Sequence, residues 1–330
     1  MTFVPALQFD VQEAGISAAA AIVDLAETVT PGEHSPTTLT IGVDRAGVLP
    51  AIGAAEFDLL LTVAGAAPRD WVSVAPTELD ATLARLCTLT QAYGLPAAVL
   101  AQVLRTGRDL AVPDALLLES FAYSTLLGGQ SFREWLARRG PRAAAPPGPR
   151  VRGLRDGEVL TITLAHPARR NALDACMRDE LVEQLVLASD DPTQPSVQLR
   201  AEGPDFSAGG DLAEFGGAID PVTAHAIRTL RAPARLIHAL GARIRAYLHG
   251  ACVGAGIEIP AAAGHVVAAP GTRFWLPELA MGLMPGAGGT VTIARRIGRR
   301  RMLYWALTGE RIDARRAVEW GLVDEVRSDA

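Results

Sequence analysis

The 330-residue sequence predicts a mixed α/β fold, and three features of it carry that expectation. Compact runs of apolar and β-branched residues alternate with longer amphipathic runs through the second half, the rhythm of strands and helices taken in turn. The tract "GPRAAAPPGPR", residues 140–150, has no periodicity and breaks the chain in two. The length exceeds what one hydrophobic core usually serves, while 49% hydrophobic residues suffice to bury a core in each part. The expected organisation is an α/β, mostly helical N-terminal region over 1–139, a linker over 140–150 and an α/β core over 151–330.

In the first part, "TLTIGVD" and "FDLLLTV" read as short buried strands. Residues 77–93 and 97–106 read as helices, and 114–138 as one long helix that Gly128 and Gly129 break or kink. In the second part "EVLTITLA" is a strand, "NALDACMRDELVEQLVLA" a helix and "SVQLRAEG" a strand. "DFSAGGDLAEF" reads as a turn into a helix, capped by Asp211 with Glu214 completing a capping box. "ARIRAYLHG" alternates Ile244, Ala246 and Leu248, as a strand does, and "TVTIARRIG" is a helix.

A net charge of −5 gives no basic footprint, which argues against nucleic acid or an anionic membrane as partner. All 31 basic residues are arginine, a bias that fits a GC-rich genome. Any phosphate contacted by a cationic side chain must therefore meet a guanidinium fork. The first basic residue is Arg45, so a secretory signal is not expected, and no apolar run approaches the roughly 18 residues of a membrane span. Cys87, Cys176 and Cys252 have no metal or redox spacing and read as buried thiols of a cytoplasmic protein. The six histidines form no metal motif, and neither a Gly-x-Ser-x-Gly elbow, a P-loop nor a dinucleotide fingerprint occurs, so no metal and no bound cofactor are expected.

The chemistry concentrates in "HGACVGAGIEIP", residues 249–260, where a strand turns through glycines into a helix and a glutamate, Glu258, follows among small and apolar residues. Such a helix start leaves amides without intrahelical partners at a locally positive end. Glu258 stands three residues beyond Ala255, on the same helical face, so an anionic oxygen held at the Ala255 amide would lie near its carboxyl. "FSAGGDL" makes a similar turn, and the amide of Ala208 there is a candidate second donor of an oxyanion hole. A tight connection closing on a capped helix accounts for either turn taken alone. "RFWLPELAMGLMPGAGG" adds Glu278 in another apolar setting. Burying a carboxylate costs several kcal/mol unless it is paired, protonated or used, so two of them suggest an acid and base pair.

Taken in order, "HPARRNALD", "FSAGGDL", "GACVGAGIE", "LPELAMGLMPGAGGT" and "LTGERIDARRAVEWGLVDEV" resemble the crotonase, or enoyl-CoA hydratase/isomerase, superfamily over residues 151–330. The resemblance implies a spiral of β-β-α units, a homotrimer or dimer of trimers, and an acyl-CoA thioester substrate, with coenzyme A entering as part of that substrate. It places an oxyanion hole on the amides of Ala208 and Ala255, with Gly209, Gly210, Asp211 and Gly254 around it. It places the two hydratase glutamates on Glu258 and Glu278, and a contact with the CoA nucleotide on Arg169 and Arg170. Hydration of a 2-enoyl-CoA, or the reverse dehydration, needs one group to activate water at C3 and one to protonate C2, and the two glutamates would share these tasks around one water. The same family fold also serves double-bond isomerisation, C–C hydrolysis of a β-diketone, tailoring of CoA or carrier-protein thioesters, and a non-catalytic partner subunit. Ala255 stands where a glycine is common, and Pro260 is unusual two residues after the first glutamate. Family members continue into helices that cover the CoA. Residues 119–140 resemble those helices in Glu-x-x-Ala-x-x-x-Leu-Leu followed by Phe-Arg, so the N-terminal half is expected to supply the cover, as though permuted.

Overall fold

A computed structural model of the protein describes residues 18–29, 36–53, 57–217 and 220–328. The apolar runs of the first half form a parallel sheet, in which β1 (Ala19–Asp24), β2 (Thr38–Asp44), β3 (Leu59–Thr62) and β4 (Val72–Ser73) lie in sequence order. β3 is buried throughout and β2 nearly so, which is why both read as continuous rather than alternating apolar runs. Four helices follow: α1 (Leu79–Tyr93), α2 (Leu95–Thr106), α3 (Val112–Leu127) and α4 (Gln130–Arg139). Gly94, at φ 59°, turns the chain between the first two, and Pro96 sits in the first turn of α2, where its missing N–H costs nothing. The expected helix over 114–138 is two helices, because the chain becomes extended at Gly129 (ψ 154°).

The second half begins with β5 (Val151–Asp156), β6 (Val159–Leu164), α5 (Ala175–Asp190) and β7 (Ser196–Ala201). It continues through α6 (Pro221–Leu230), α7 (Pro233–Leu240), β8 (Ile244–Leu248), β9 (Ala251–Val253), α8 (Ala255–Glu258), β10 (His265–Ala268) and β11 (Arg273–Trp275). α9 (Gly289–Ile297), α10 (Arg299–Thr308), β12 (Ile312–Asp313), α11 (Ala314–Trp320) and β13 (Glu325–Val326) complete it. One sheet runs β13-β10-β8-β7-β6-β5, antiparallel only at the β5–β6 pair, and a smaller one runs β12-β11-β9. This mixed α/β chain leaves the large sheet for the small one between β8 and β9, at residues 249–250, and again between β10 and β11, at residues 269–272.

Two expectations are corrected here. Residues 212–216 form turns rather than a helix, and Glu214 does not cap its own segment: its carboxylate accepts from the Ala175 amide (3.0 Å) at the start of α5. Of the three cysteines expected to be buried only Cys252 is: Cys87 is half-buried, and Cys176 is exposed, its thiol donating to Glu180 Oε1 at 3.2 Å. Pro260 is accommodated because α8 stops at Glu258 and a separate 3₁₀ turn, Pro260–Ala262, begins there. No single helix among the described residues is long and apolar enough to cross a membrane.

The two halves share one core, in which Leu86 and Leu100 of the first pack into the same buried cluster as Met302 and Trp305 of the second. Their seam is stitched by the arginines of α10. Arg299 Nη2 donates to Phe57 O (2.7 Å), and Arg301, 8% exposed, donates to the carbonyls of Trp71 (3.0 Å), Ala67 and Pro68 (both 3.1 Å). A cavity of about 460 Å³ on this seam is lined by arginines that are spent in the same way, Arg69 on Ala294 O and Arg295 on Leu110 O. Guanidinium donors match loop carbonyls that no strand or helix would satisfy. Arg301→Leu should therefore lower stability by about 2–3 kcal/mol in chemical denaturation, with both halves still unfolding in one transition; a two-step melt of the wild type would show that the halves are independent.

Candidate active site

β9 ends at Val253, and Gly254, at φ +47°, turns the chain at once into α8. Glu258 closes that single turn, with its amide donating to Gly254 O at 2.9 Å, and is 2% exposed. Its Oε2 accepts from the amides of Ala287 (2.8 Å) and Gly289 (3.0 Å) at the start of α9. Glu278 opens the 3₁₀ turn Glu278–Met281, and its Oε2 is buried without a hydrogen-bond partner. The two carboxyl groups flank Gly254: a Cβ there would stand 2.2 Å from Glu278 Oε1 and 3.8 Å from Glu258 Oε1. Only glycine fits both the backbone angle and the gap. Burial raises the Glu278 carboxyl to about 8, and burial followed by the charges of Glu278 and Glu119 raises Glu258 well above the ordinary range.

Both glutamates line a cavity of about 260 Å³ whose wall also carries Gly210 and Ala255. Ala255 is the first residue of α8, so its amide has no intrahelical acceptor, and among the described residues neither this amide nor that of Gly210 donates to the protein. The Ala208 amide, expected as the second donor, is elsewhere: it donates to Arg170 O at 2.8 Å, and Ala208 does not line this cavity. The Gly209 amide is engaged by Ser207 Oγ at 3.1 Å, and a Cβ at Gly209 would meet Val253 O at 2.6 Å, so this glycine permits the close approach of the two turns. Asp211 receives Arg169 at 3.1 Å and the Ala213 amide at 2.9 Å, while Arg170 pairs with Asp205 at 2.6 Å. Asp211, Arg169 and Arg170 line an adjoining groove with Arg142, and that groove meets the glutamate cavity at Gly210.

The first half supplies a wall of the cavity through Leu116, Glu119, Ser120 and Tyr123 of α3. Glu119, 2% exposed, accepts from Gly288 N (2.7 Å), Thr290 N (2.9 Å) and Thr290 Oγ1 (2.6 Å), and burial still raises its carboxyl to about 7. The amides of residues 287–290 thus alternate between two carboxylates, Ala287 and Gly289 to Glu258, Gly288 and Thr290 to Glu119. The Tyr123 ring lies against Gly286, where a Cβ would come within 2.1 Å of it, and Arg228 of α6 packs over the ring at 4.7 Å. In the sequence Glu119 stands out only through its helix pattern, and Tyr123 and Arg228 do not stand out at all. A lone acid in "LLLESFAY" was a signal for the first, but nothing local marked the others.

The matching family model, enoyl-CoA hydratase/isomerase, spans residues 155–330, more than half of the chain. The chain belongs to the enoyl-CoA hydratase/isomerase family. It is 36% identical over 172 residues to a 2,3-dehydroadipyl-CoA hydratase of Escherichia coli, covering 52% of this chain and 67% of that protein. It is 32% identical over 178 residues to a trans-2-decenoyl-(acyl-carrier-protein) isomerase of Streptococcus mutans, covering 52% of this chain and 66% of that one. Among solved structures, an enoyl-CoA hydratase from Thermoplasma volcanium matches with a TM-score of 0.51 at 30% identity, over 55% of this chain and 73% of that one. These crotonase-fold likenesses cover a little over half of the chain.

Two tests address the glutamate pair. Unfolded, Glu278 ionises near pH 4.5; folded, it holds its proton to about 8, so between these values the unfolded chain sheds a proton that the folded chain keeps. Stability should fall as pH rises through that window, and Glu278→Gln should flatten the fall. Melting temperatures from pH 5 to 8.5 check this, and parallel curves for the two proteins would contradict it. Gly254→Ala should displace the Glu278 carboxyl, costing at least about 1 kcal/mol of stability from the backbone strain alone and moving the side chain in a crystal structure.

Proposed function

We propose that this protein hydrates a 2-enoyl-CoA, or runs the reverse dehydration. The observation that carries the reading is the pair Glu258, buried, and Glu278, half-buried with its Oε2 shielded, on either side of Gly254 in one cavity with the uncommitted amides of Gly210 and Ala255. A thioester carbonyl seated between those amides would gain their hydrogen bonds most strongly as negative charge builds on its oxygen, and each good donor is worth roughly 3 kcal/mol in such a site. Two carboxyl groups so little hydrated resist both being ionised, and a pair that keeps one proton holds a base and an acid together. The base takes a proton from water as its oxygen adds to C3, the electrons pass through C2 to the thioester oxygen, and the resulting enolate collects a proton at C2 from the acid.

The 260 Å³ cavity lies at the lower edge of the roughly 300–1,000 Å³ usual for small-molecule sites, which favours a short acyl group. From Gly210 the pantetheine arm would follow the groove of Arg142, Arg169 and Arg170. α3 and α4 form the cover of the site in this reading, with Arg139 donating to Phe215 O at 3.2 Å and Trp135 meeting the Phe215 ring at 6.1 Å beside the Asp211 turn.

Loss of enoyl-thioester absorbance with crotonyl-CoA tests the proposal directly. Glu258→Gln and Glu278→Gln should each lower kcat about 10²–10⁴-fold. Undiminished turnover in both variants would end the mechanism, and migration of the double bond without uptake of water would assign isomerisation instead.

A further inference from the structure

Arg228 enters the glutamate cavity from α6 and makes no ion pair among the described residues, although the charge of Glu119 acts on it from nearby. Its Nε and Nη2 are held by the Ser120 hydroxyl and carbonyl (both 3.3 Å) and by the Ser124 hydroxyl, and its plane rests over Tyr123. Among the described residues no carboxylate pairs with it and Nη1 has no acceptor. The nearby Glu119 is already spent on Gly288 and Thr290. The other two arginines of the cavity differ, since Arg178 holds Asp179 at 2.9 Å and Arg231 lies 3.9 Å from the same carboxylate. Desolvation weakens the charged form of Arg228. A guanidinium kept partly dehydrated, oriented by neutral groups and left one free edge is a receptor for an anion, because the cost of its burial is recovered only when a planar oxyanion arrives.

Two anions of an acyl-CoA could meet it, a charge at the end of the acyl chain or a phosphate of the CoA. The geometry favours the first. The thioester position at Gly210 and Ala255 divides two spaces, and Arg228 lies in the one that holds the glutamates, while Arg142, Arg169 and Arg170 line the other. We propose that the acyl group taken by this site ends in a carboxylate, and that Arg228 is the residue that selects it. The proposal rests on the acyl-thioester reading of the cavity.

The test compares, on the full-length protein, a short 2-enoyl-CoA ending in a carboxylate with its methyl ester of the same length. The acid should be preferred in kcat/KM at least about tenfold. Arg228→Gln should slow the acid and leave the ester nearly unchanged, with the loss mainly in KM. Equal use of acid and ester by the wild type would overturn the proposal whether or not the variant folds. Pantetheine thioesters, which lack the nucleotide phosphates, separate the sources: the preference for the acid persists if Arg228 reads the tail. An Arg228→Gln effect confined to CoA thioesters would give it to a phosphate and overturn the proposal. If neither ester nor acid turns over, calorimetry with the saturated acid and ester CoA thioesters still reads the preference, so failure of the hydratase reading and failure of the selectivity are told apart.

Discussion

The fold turns on the problem of keeping carboxylates in an apolar interior at the start of α9. Glu258 and Glu119 reach this turn from opposite halves of the chain, and four consecutive amides divide themselves between them. An unpaired buried carboxylate would cost several kcal/mol. Here the helix start supplies donors that have no intrahelical use, together with the positive end of the dipole. The turn can satisfy both acids only if its backbone is fixed, and the two acids fix it. Glu278 is left out of this arrangement, with one oxygen facing no donor. Beyond its own backbone amide it draws no donor from this turn, as a group reserved for a reaction would.

This coupling makes the N-terminal half part of the cavity wall as well as of the core. Its sheet docks through the α10 arginines, and its third helix then presents Glu119, Ser120 and Tyr123 to the cavity. Ser120 and Ser124 hold Arg228, which comes from the other half. The environment of Glu258 and Glu278 is therefore built by residues more than a hundred positions apart. A change on α3 can alter the acidity of Glu258 without touching the family motifs, because Glu119 contributes charge to it and shares its turn.

The same view explains the glycines near the site. Gly254 leaves space for a carboxyl group and Gly286 for an aromatic ring. The motifs look like flexible connections in the sequence, yet their main use is to let side chains from distant segments approach the backbone closely.

The sequence by itself determined β2, β3, β6, β7 and β8, the helices α1, α2, α5 and α9, the family, and the two glutamates, because each depends on residues close together in the chain: hydrophobic period, a turn glycine, an acid in an apolar run. The fate of individual amides was decided only by the tertiary structure. "FSAGGDL" offers several amides in a row, and only folding shows that Ala208 is bonded to Arg170 while Gly210 faces the cavity. The helix expected after Asp211 failed for a similar reason, since Glu214 found a better use at the Ala175 amide, far along the chain. Arg228 was invisible because nothing in a sequence separates an arginine that will find a carboxylate from one that will be buried without one; that difference exists only once the neighbours are in place.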